Sequence, residues 1–347
     1  MKWSDEMELE DRKKKVLSVV VEEFIKTGEP VGSKAVMDKI NVSVSSATIR
    51  NDMALLEDMG LLYQPHTSAG RVPSVEGYKL FVSKLMKTYE LSKKEKNQID
   101  VLLAKVSKTT TAITKDTVEI ISQLTGCTAV AVAPASGGSL QMFEAFVAGK
   151  HLLAVLAVSA TGVTKTKICV TDIEPNSENA MILSKILSKT FSGRSVTQIS
   201  DELINIAKAE IEKSCPEFIS LMPFIKEFIN ELCGYDVYVG GEEKLFDYPE
   251  FSNASKIQPF LSLLSRHDDI LKIAQKNPSG IEVDILGDQG LTELKNVSMI
   301  TSGMYMGSDN GIMCVFGPTR LDYAKVLAKM NYFTEQMSKI ISELYLE

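Results

Sequence analysis

Residues 12–27, RKKKVLSVVVEEFIKT, place Val16, Val20 and Phe24 beside Leu17, Val21 and Ile25 on one stripe at helical spacing, and Gly28 with Pro30 stops the run. A first helix is predicted there. Ser33 is placed to cap a short second helix carrying Ala35, Val36 and Ile40 and closing at Asn41, a residue tolerant of the left-handed conformation. Ser45 opens a third helix reaching Met59, with Val44 before the cap and Ile49 set to staple against it, and Gly60 closes it. Leu61 to His66 then reads as a strand, Thr67 to Gly70 as a turn with Gly70 at positive φ, and Arg71 to Pro73 as a return strand. Helix, helix, helix and hairpin in this order predict a winged helix-turn-helix.

Residues 85–115 are rich in Lys, Glu and Thr around the helically spaced IDVLLAKV, and they read as a connecting helix and linker with a boundary near residue 90. Three apolar, β-branched runs follow, TAVAVA, LQMFEAFVAG and HLLAVLAVSATGVTKTKICV, and they are expected to pair as adjacent antiparallel strands. From Glu174 to Gly234 the spacing turns helical, with Pro216 suited to a first turn. A short strand-like YDVYVGG and the amphipathic IQPFLSLLSRHDDILKIAQ precede the strands IEVDIL, VSMITSGMYM and IMCVFG, with Asp309-Asn310-Gly311 as a hairpin turn. Val326, Met330, Phe333, Met337 and Ile341 then share one face of a long helix. The pattern predicts an α+β multidomain chain whose sheet is interrupted by a mainly helical insert: units at 1–90, at 91–172 joined with 246–347, and at 173–245.

A chain of 347 residues exceeds one ordinary core, and 44% apolar with 24% charged residues marks it as folded. The net charge of −7 excludes a chain coated with basic residues for nucleic acid, so any such site must be local. Residues 12–90 carry 12 Lys and Arg against 9 Asp and Glu, a modest net +3. No stretch approaches the length of an apolar membrane span and the opening MKWSDEMELEDRKKK lacks a signal-peptide core, so a cytoplasmic protein with no membrane partner is expected. Cys127, Cys169, Cys215, Cys233 and Cys314 are scattered without CxxC spacing and read as reduced core residues, with no metal and no cofactor implied.

The third helix carries the informative chemistry. Rotated by 100° per residue, Ile49, Met53, Leu56 and Met59 fall in one sector, and Ser46, Ala47, Arg50, Asn51 and Ala54 fall in the other. A helix enters the major groove when its facing side chains are short or chosen to reach base edges, and this face holds both kinds. Arg50 matches guanine O6 and N7, and Asn51 matches adenine N6 and N7. Ser45, Ser46 and Thr48, with the unpaired amides of the first turn, suit phosphate oxygens. Asp52 is out of place on such a helix and needs a nearby Lys or the flank of the second helix. A wing beside the helix would bring Arg71, with His66, Thr67 and Ser68, to the adjacent phosphates or minor groove.

PVGSKAV at 30–36, SSATIRNDMALLEDMGLL at 45–62, HTSAGRVPSVEGYKLFV at 66–82, DVYVGG and LFDYPEF within 236–251, and GPTRLDYAKV at 317–326 resemble the heat-inducible transcription repressors named HrcA. These stretches span essentially the whole chain. The resemblance implies a winged helix, a GAF-like α/β sheet domain and an inserted dimerisation domain, acting as a homodimer on an inverted-repeat double-stranded DNA operator, the CIRCE element, before chaperone operons. It also implies dependence on the chaperonin GroEL, whose diversion to unfolded clients on heating lowers repression. Matched residue by residue, it assigns DNA contact to Ser46, Arg50, Asn51 and Arg71.

Two other readings compete with this one. An enzyme would need more than His66, His151 and His267, and no GxSxG, HExxH, P-loop or GxGxxG motif is present. A metabolite-responsive regulator would hold a ligand in the GAF-like domain, whereas the Val, Ile, Leu and Met of its strands favour a filled core.

Overall fold

The computed structural model describes residues 9–40, 44–106, 110–134, 139–160, 162–195, 198–232, 234–274, 281–285, 296–305 and 310–345. Asn41, Cys233 and Asp309 lie outside the described residues.

The N-terminal unit begins with α1 (Asp11–Thr27), which buries Val16, Leu17, Val20 and Val21. Gly28 ends it in the left-handed region, φ 69°, donating its N–H to Phe24 O at 2.8 Å. Helix α2 (Ser33–Lys39) follows, and its N-cap is Gly32, one residue before the expected Ser33. Ser33 instead hydrogen bonds Ser46 through their hydroxyls at 3.0 Å, tying α2 to α3 (Ser46–Asp58). Strands β1 (Leu62–Tyr63) and β2 (Val72–Pro73) pair antiparallel, and a bridge between Val31 and Arg71 extends this ribbon to the segment before α2. Helix α4 (Val75–Leu80) is capped by Ser74 and runs into a π-helical turn, Phe81–Leu85.

Helix α5 (Lys93–Leu103) opens with a capping box between Ser92 and Glu95 and leads to α6 (Thr110–Thr125). The sequence reading departs from the structure in the strands that follow. Strand β3 (Thr128–Pro134) joins a five-stranded antiparallel sheet of order β7-β3-β10-β9-β8, made with β7 (Tyr235–Gly240), β8 (Ile281–Ile285), β9 (Val297–Tyr305) and β10 (Asn310–Pro318). The next three strands, β4 (Leu140–Gly149), β5 (Leu152–Ser159) and β6 (Thr164–Val170), form a separate three-stranded sheet. The apolar runs after residue 127 therefore divide between two sheets. The excursion out of the five-stranded sheet starts at β4 and ends before β7, so it contains strands as well as helices.

Packing accounts for the division. Phe143, Leu153 and Val155 of β4 and β5 are buried against α7 (Ser177–Phe191), α8 (Asp201–Ser214), a 3-10 turn at Pro216–Leu221 and α9 (Met222–Leu232). In the five-stranded sheet, Ala129, Ala131, Met313 and Val315 face the core shared with α6 and α12 (Tyr323–Tyr345). Val130, Val132, Cys314 and Phe316 alternate to the opposite face, under α10 (Ala254–Leu264) and α11 (His267–Ala274). Both faces of this sheet are covered. The expected stripe of α12 is buried in full at Val326, Met330, Phe333, Met337 and Ile341.

Among the described residues, no helix is long and apolar enough to cross a membrane, and no group of His, Cys, Asp and Glu is arranged to hold a metal ion. Cys127, Cys169, Cys215 and Cys314 are buried free thiols.

Candidate nucleic-acid interface

Helix α3 is built to keep one side in and one side out. Ile49, Met53 and Leu56 are buried against α1 and α2, and Val44 and Met59 pack on the edge of the same core. The Ser45 hydroxyl caps the helix, accepting the Thr48 N–H at 3.1 Å and sharing a hydrogen bond with Thr48 Oγ1 at 3.0 Å. The other amides of the first turn have no acceptor within the helix, as at any helix start. Ala47, Arg50 and Asn51 are exposed, and Ser46, Thr48 and Ala54 are half-buried. Neither Arg50 nor Asn51 makes a side-chain hydrogen bond or ion pair to any described residue, so their donors and acceptors face outward uncommitted.

Asp52 is buried, and its partner is neither a Lys nor the flank of α2. Arg12 in the first turn of α1 donates Nε to Asp52 Oδ2 at 2.7 Å and Nη2 to Oδ1 at 3.1 Å. The bonded carboxylate holds the guanidinium more firmly charged than usual. Two parallel bonds fix the rotation of α3 about its own axis relative to α1, which sets what the outward face presents.

The hairpin is a turn more than a ribbon, since each strand is only two residues long. Its tip is made by Ala69 N–H donating to His66 O at 2.8 Å. Gln64, which the sequence reading passed over, braces it by donating Nε2 to the carbonyls of Thr67 and Ala69 at 3.0 and 2.9 Å. His66, Thr67 and Ser68 are exposed at that tip.

Gly70 is not at the tip and does not hold a positive φ, contrary to the expectation from its place in the turn. A glycine is needed there for space: a Cβ would lie 2.3 Å from Val31 O and 2.8 Å from Gly32 N. Arg71 sits at the base of the wing, with its backbone N–H and carbonyl each paired with Val31 at 2.9 Å. Its side chain is largely covered, and Nε lies 2.8 Å from Glu57 Oε2, an ion pair off the hydrogen-bond line. Glu57 projects on the outward side of α3, near the sector of Arg50, so Arg71 offsets an acid on that side of the helix.

The structure thus brings Ser45, Ser46, Thr48, Arg50 and Asn51 onto one helix start, with His66, Thr67 and Ser68 on a neighbouring loop. Arg12, Gln64 and the Val31 bridge were missed by the sequence reading. A one-residue bridge has no periodicity, and nothing in the run RKKK singles out its arginine. The remaining histidines take no part in a cluster: His151 is exposed with Nδ1 3.2 Å from Ile173 O, and His267 is exposed at the start of α11.

Comparison with known proteins agrees along the whole chain. The profile described as the HrcA protein C-terminal domain matches residues 111–327. The heat-inducible transcription repressor HrcA of Acetivibrio thermocellus is 32% identical over 97% of this chain and 98% of its own length. That of Carboxydothermus hydrogenoformans is 33% identical over 96% of this chain and 98% of its own. A crystal structure of a hypothetical protein, solved at 2.2 Å, has the same fold at a TM-score of 0.62, with 23% identity over 97% of this chain and all of that one. With a profile covering most of the chain and relatives aligned from end to end, the protein belongs to the HrcA family of heat-inducible transcription repressors.

Proposed function

We propose that residues 11–80 are a winged helix-turn-helix that places α3 in the major groove of double-stranded DNA. Arg50 and Asn51 read bases, and Ser45, Ser46, Thr48 and the free first-turn amides hold phosphates. His66, Thr67 and Ser68 reach the next phosphates along the strand, and Arg71 contributes through its Nη groups while Nε remains beside Glu57. The observation that carries this reading is the uncommitted Arg50 and Asn51 on a helix whose rotation is locked by Arg12 and Asp52.

We further propose that the five-stranded sheet with α6, α10, α11 and α12 is the GAF-like domain and that residues 140–232 are the inserted dimerisation domain. The outward face of β4 to β6 supports this, since Phe146, Leu152, Ile168 and Val170 are all exposed there, Val170 at 76%. A twofold dimer would present two winged helices to the two halves of an inverted repeat such as the CIRCE element. Dependence on the chaperonin GroEL completes the proposal: a repressor refolded or held by the chaperonin has an operator occupancy that follows free chaperonin by mass action.

A gel-shift titration of the purified chain on an inverted-repeat duplex and on a scrambled duplex of equal length tests the proposal. Tight, saturable binding to the repeat alone is expected, and equal binding to both would overturn it. The same titration separates a second reading, a metabolite sensor. That reading is favoured by a cleft of about 450 Å³ between the N-terminal unit and the five-stranded sheet, beside the buried Tyr78 hydroxyl, which has no hydrogen-bond partner among the described residues. Operator binding without any added small molecule would remove the need for it.

A further inference from the structure

The stretches LFDYPEF and GPTRLDY lie about seventy residues apart and have no place in the DNA contact itself, yet they meet where the N-terminal unit joins the five-stranded sheet. Arg320, in the turn between β10 and α12, donates Nε to Glu250 Oε1 and Nη2 to Oε2, the latter at 3.2 Å. Its guanidinium carbon lies 5.8 Å from the centre of the Tyr248 ring. Both partners are largely covered, at 17% and 25% exposure, so the pair is not a loose surface contact.

The same guanidinium abuts α1. A Cβ built on Gly28 would lie 3.6 Å from both Cζ and Nε of Arg320, which places the cation directly against the left-handed cap that ends α1. The C-terminal end of a helix is its negative end and attracts a cation held there. One ring contact adds to the junction: Tyr78 of α4 lies 6.2 Å, centre to centre, from Tyr323, whose hydroxyl is fixed by Ser298 at 2.9 Å and donates to Thr319 O at 2.6 Å. Next to these contacts is a cleft of about 450 Å³ lined by Phe24, Tyr63, Tyr78, Glu250 and Arg320, while one buried apolar core runs on from the N-terminal unit to α6 and α12. Apolar burial is non-directional, whereas the two-pronged pairing of Arg320 fixes an orientation, so the arginine adds a directional constraint on the angle between the units.

We infer that Arg320, oriented by Glu250, is a positioning residue for operator recognition: it sets the angle of the DNA-reading unit on the body of the protein, and so the separation of the two reading helices in a dimer. This rests on the proposed reading of α3 and of the dimer. A half-site is read by one unit, and only the inverted repeat senses how two units are held. Loss of the latch should leave the first unchanged and weaken the second.

The test titrates the full-length chain against a single half-site duplex and against inverted-repeat duplexes that differ only in the spacer. For Arg320→Met and for Glu250→Gln, we expect half-site affinity within about twofold of the parent and a roughly tenfold loss at the best spacer, with a flattened preference among spacers. Arg320→Lys, which keeps the cation without the two-pronged pairing, should recover part of the preference. Glu250→Gln keeps the side chain's size while removing its charge and one of the two acceptors for Arg320, so it keeps the test intact if Arg320→Met folds poorly. An unchanged spacer profile in both uncharged variants would overturn the inference, as would equal losses on half-site and repeat. A parent chain that binds the half-site as well as the repeat would instead overturn the dimer reading beneath it.

Discussion

Arg12 and Asp52 face each other across α1 and α3 with two parallel hydrogen bonds, 2.7 and 3.1 Å, and the carboxylate they serve is buried. An acid on a helix proposed to lie in DNA would repel phosphates if it turned outward. Pairing it with the first helix removes that charge from the outer face and converts it into a positional constraint.

Arg12→Ala should strip the partner from a buried carboxylate. We expect the melting temperature to fall by roughly 5–10 °C, and specific DNA affinity to fall with it. Thermal unfolding followed by circular dichroism checks the first, and a melting point unchanged from the parent would deny the pair its structural role.

Gly70→Ala tests the close approach at the base of the wing. The added Cβ would lie 2.3 Å from Val31 O, so the bridge between Val31 and Arg71 must open, at a cost of about 1–3 kcal/mol. Denaturant unfolding measures that cost. A neutral result would mean that the Val31 segment yields freely and that the glycine serves no packing purpose.

Arg71→Ala removes a cation from the proposed DNA-contacting face and also leaves Glu57 unopposed. Affinity should drop nearly equally on specific and random duplexes, and the slope of log affinity against log salt should become shallower by about one. Titrations at several salt concentrations give the slope directly, and a slope equal to the parent's would count against phosphate contact.

The buried thiols make a prediction independent of DNA. Burial pushes Cys314 up to about 12, and Cys127 and Cys215 up to about 11, so all three stay protonated well above neutral pH in the folded chain. A thiol reagent at pH 8 should modify them slowly in the native protein and rapidly in denaturant. Fast native labelling of Cys314 would show that the five-stranded sheet opens readily.

Much of this architecture is written in periodicity. The inward stripe of α3, the five buried positions of α12 and the Ser45 cap all follow from spacing and from the chemistry of a hydroxyl before a helix. The partition of strands between sheets does not, because alternation reports that a strand has two faces and says nothing of its neighbours. TAVAVA and LQMFEAFVAG look alike to that test, yet β3 pairs with β7 and β10 in one sheet while β4 pairs with β5 in another. Long-range polar partners are equally silent. Asp52 announces that it needs a cation, but its distance in sequence from Arg12 hides which one, and Gly70 advertises a turn while serving a backbone contact made with Val31.

The most direct test of the central claim, that the outer face of α3 reads bases, is the affinity of Arg50→Ala for an inverted-repeat duplex and for a random duplex of equal length and salt. We predict a loss of about 1–3 kcal/mol on the repeat with little change on the random duplex and no change in folding. An equal loss on both duplexes, or none on either, would contradict it.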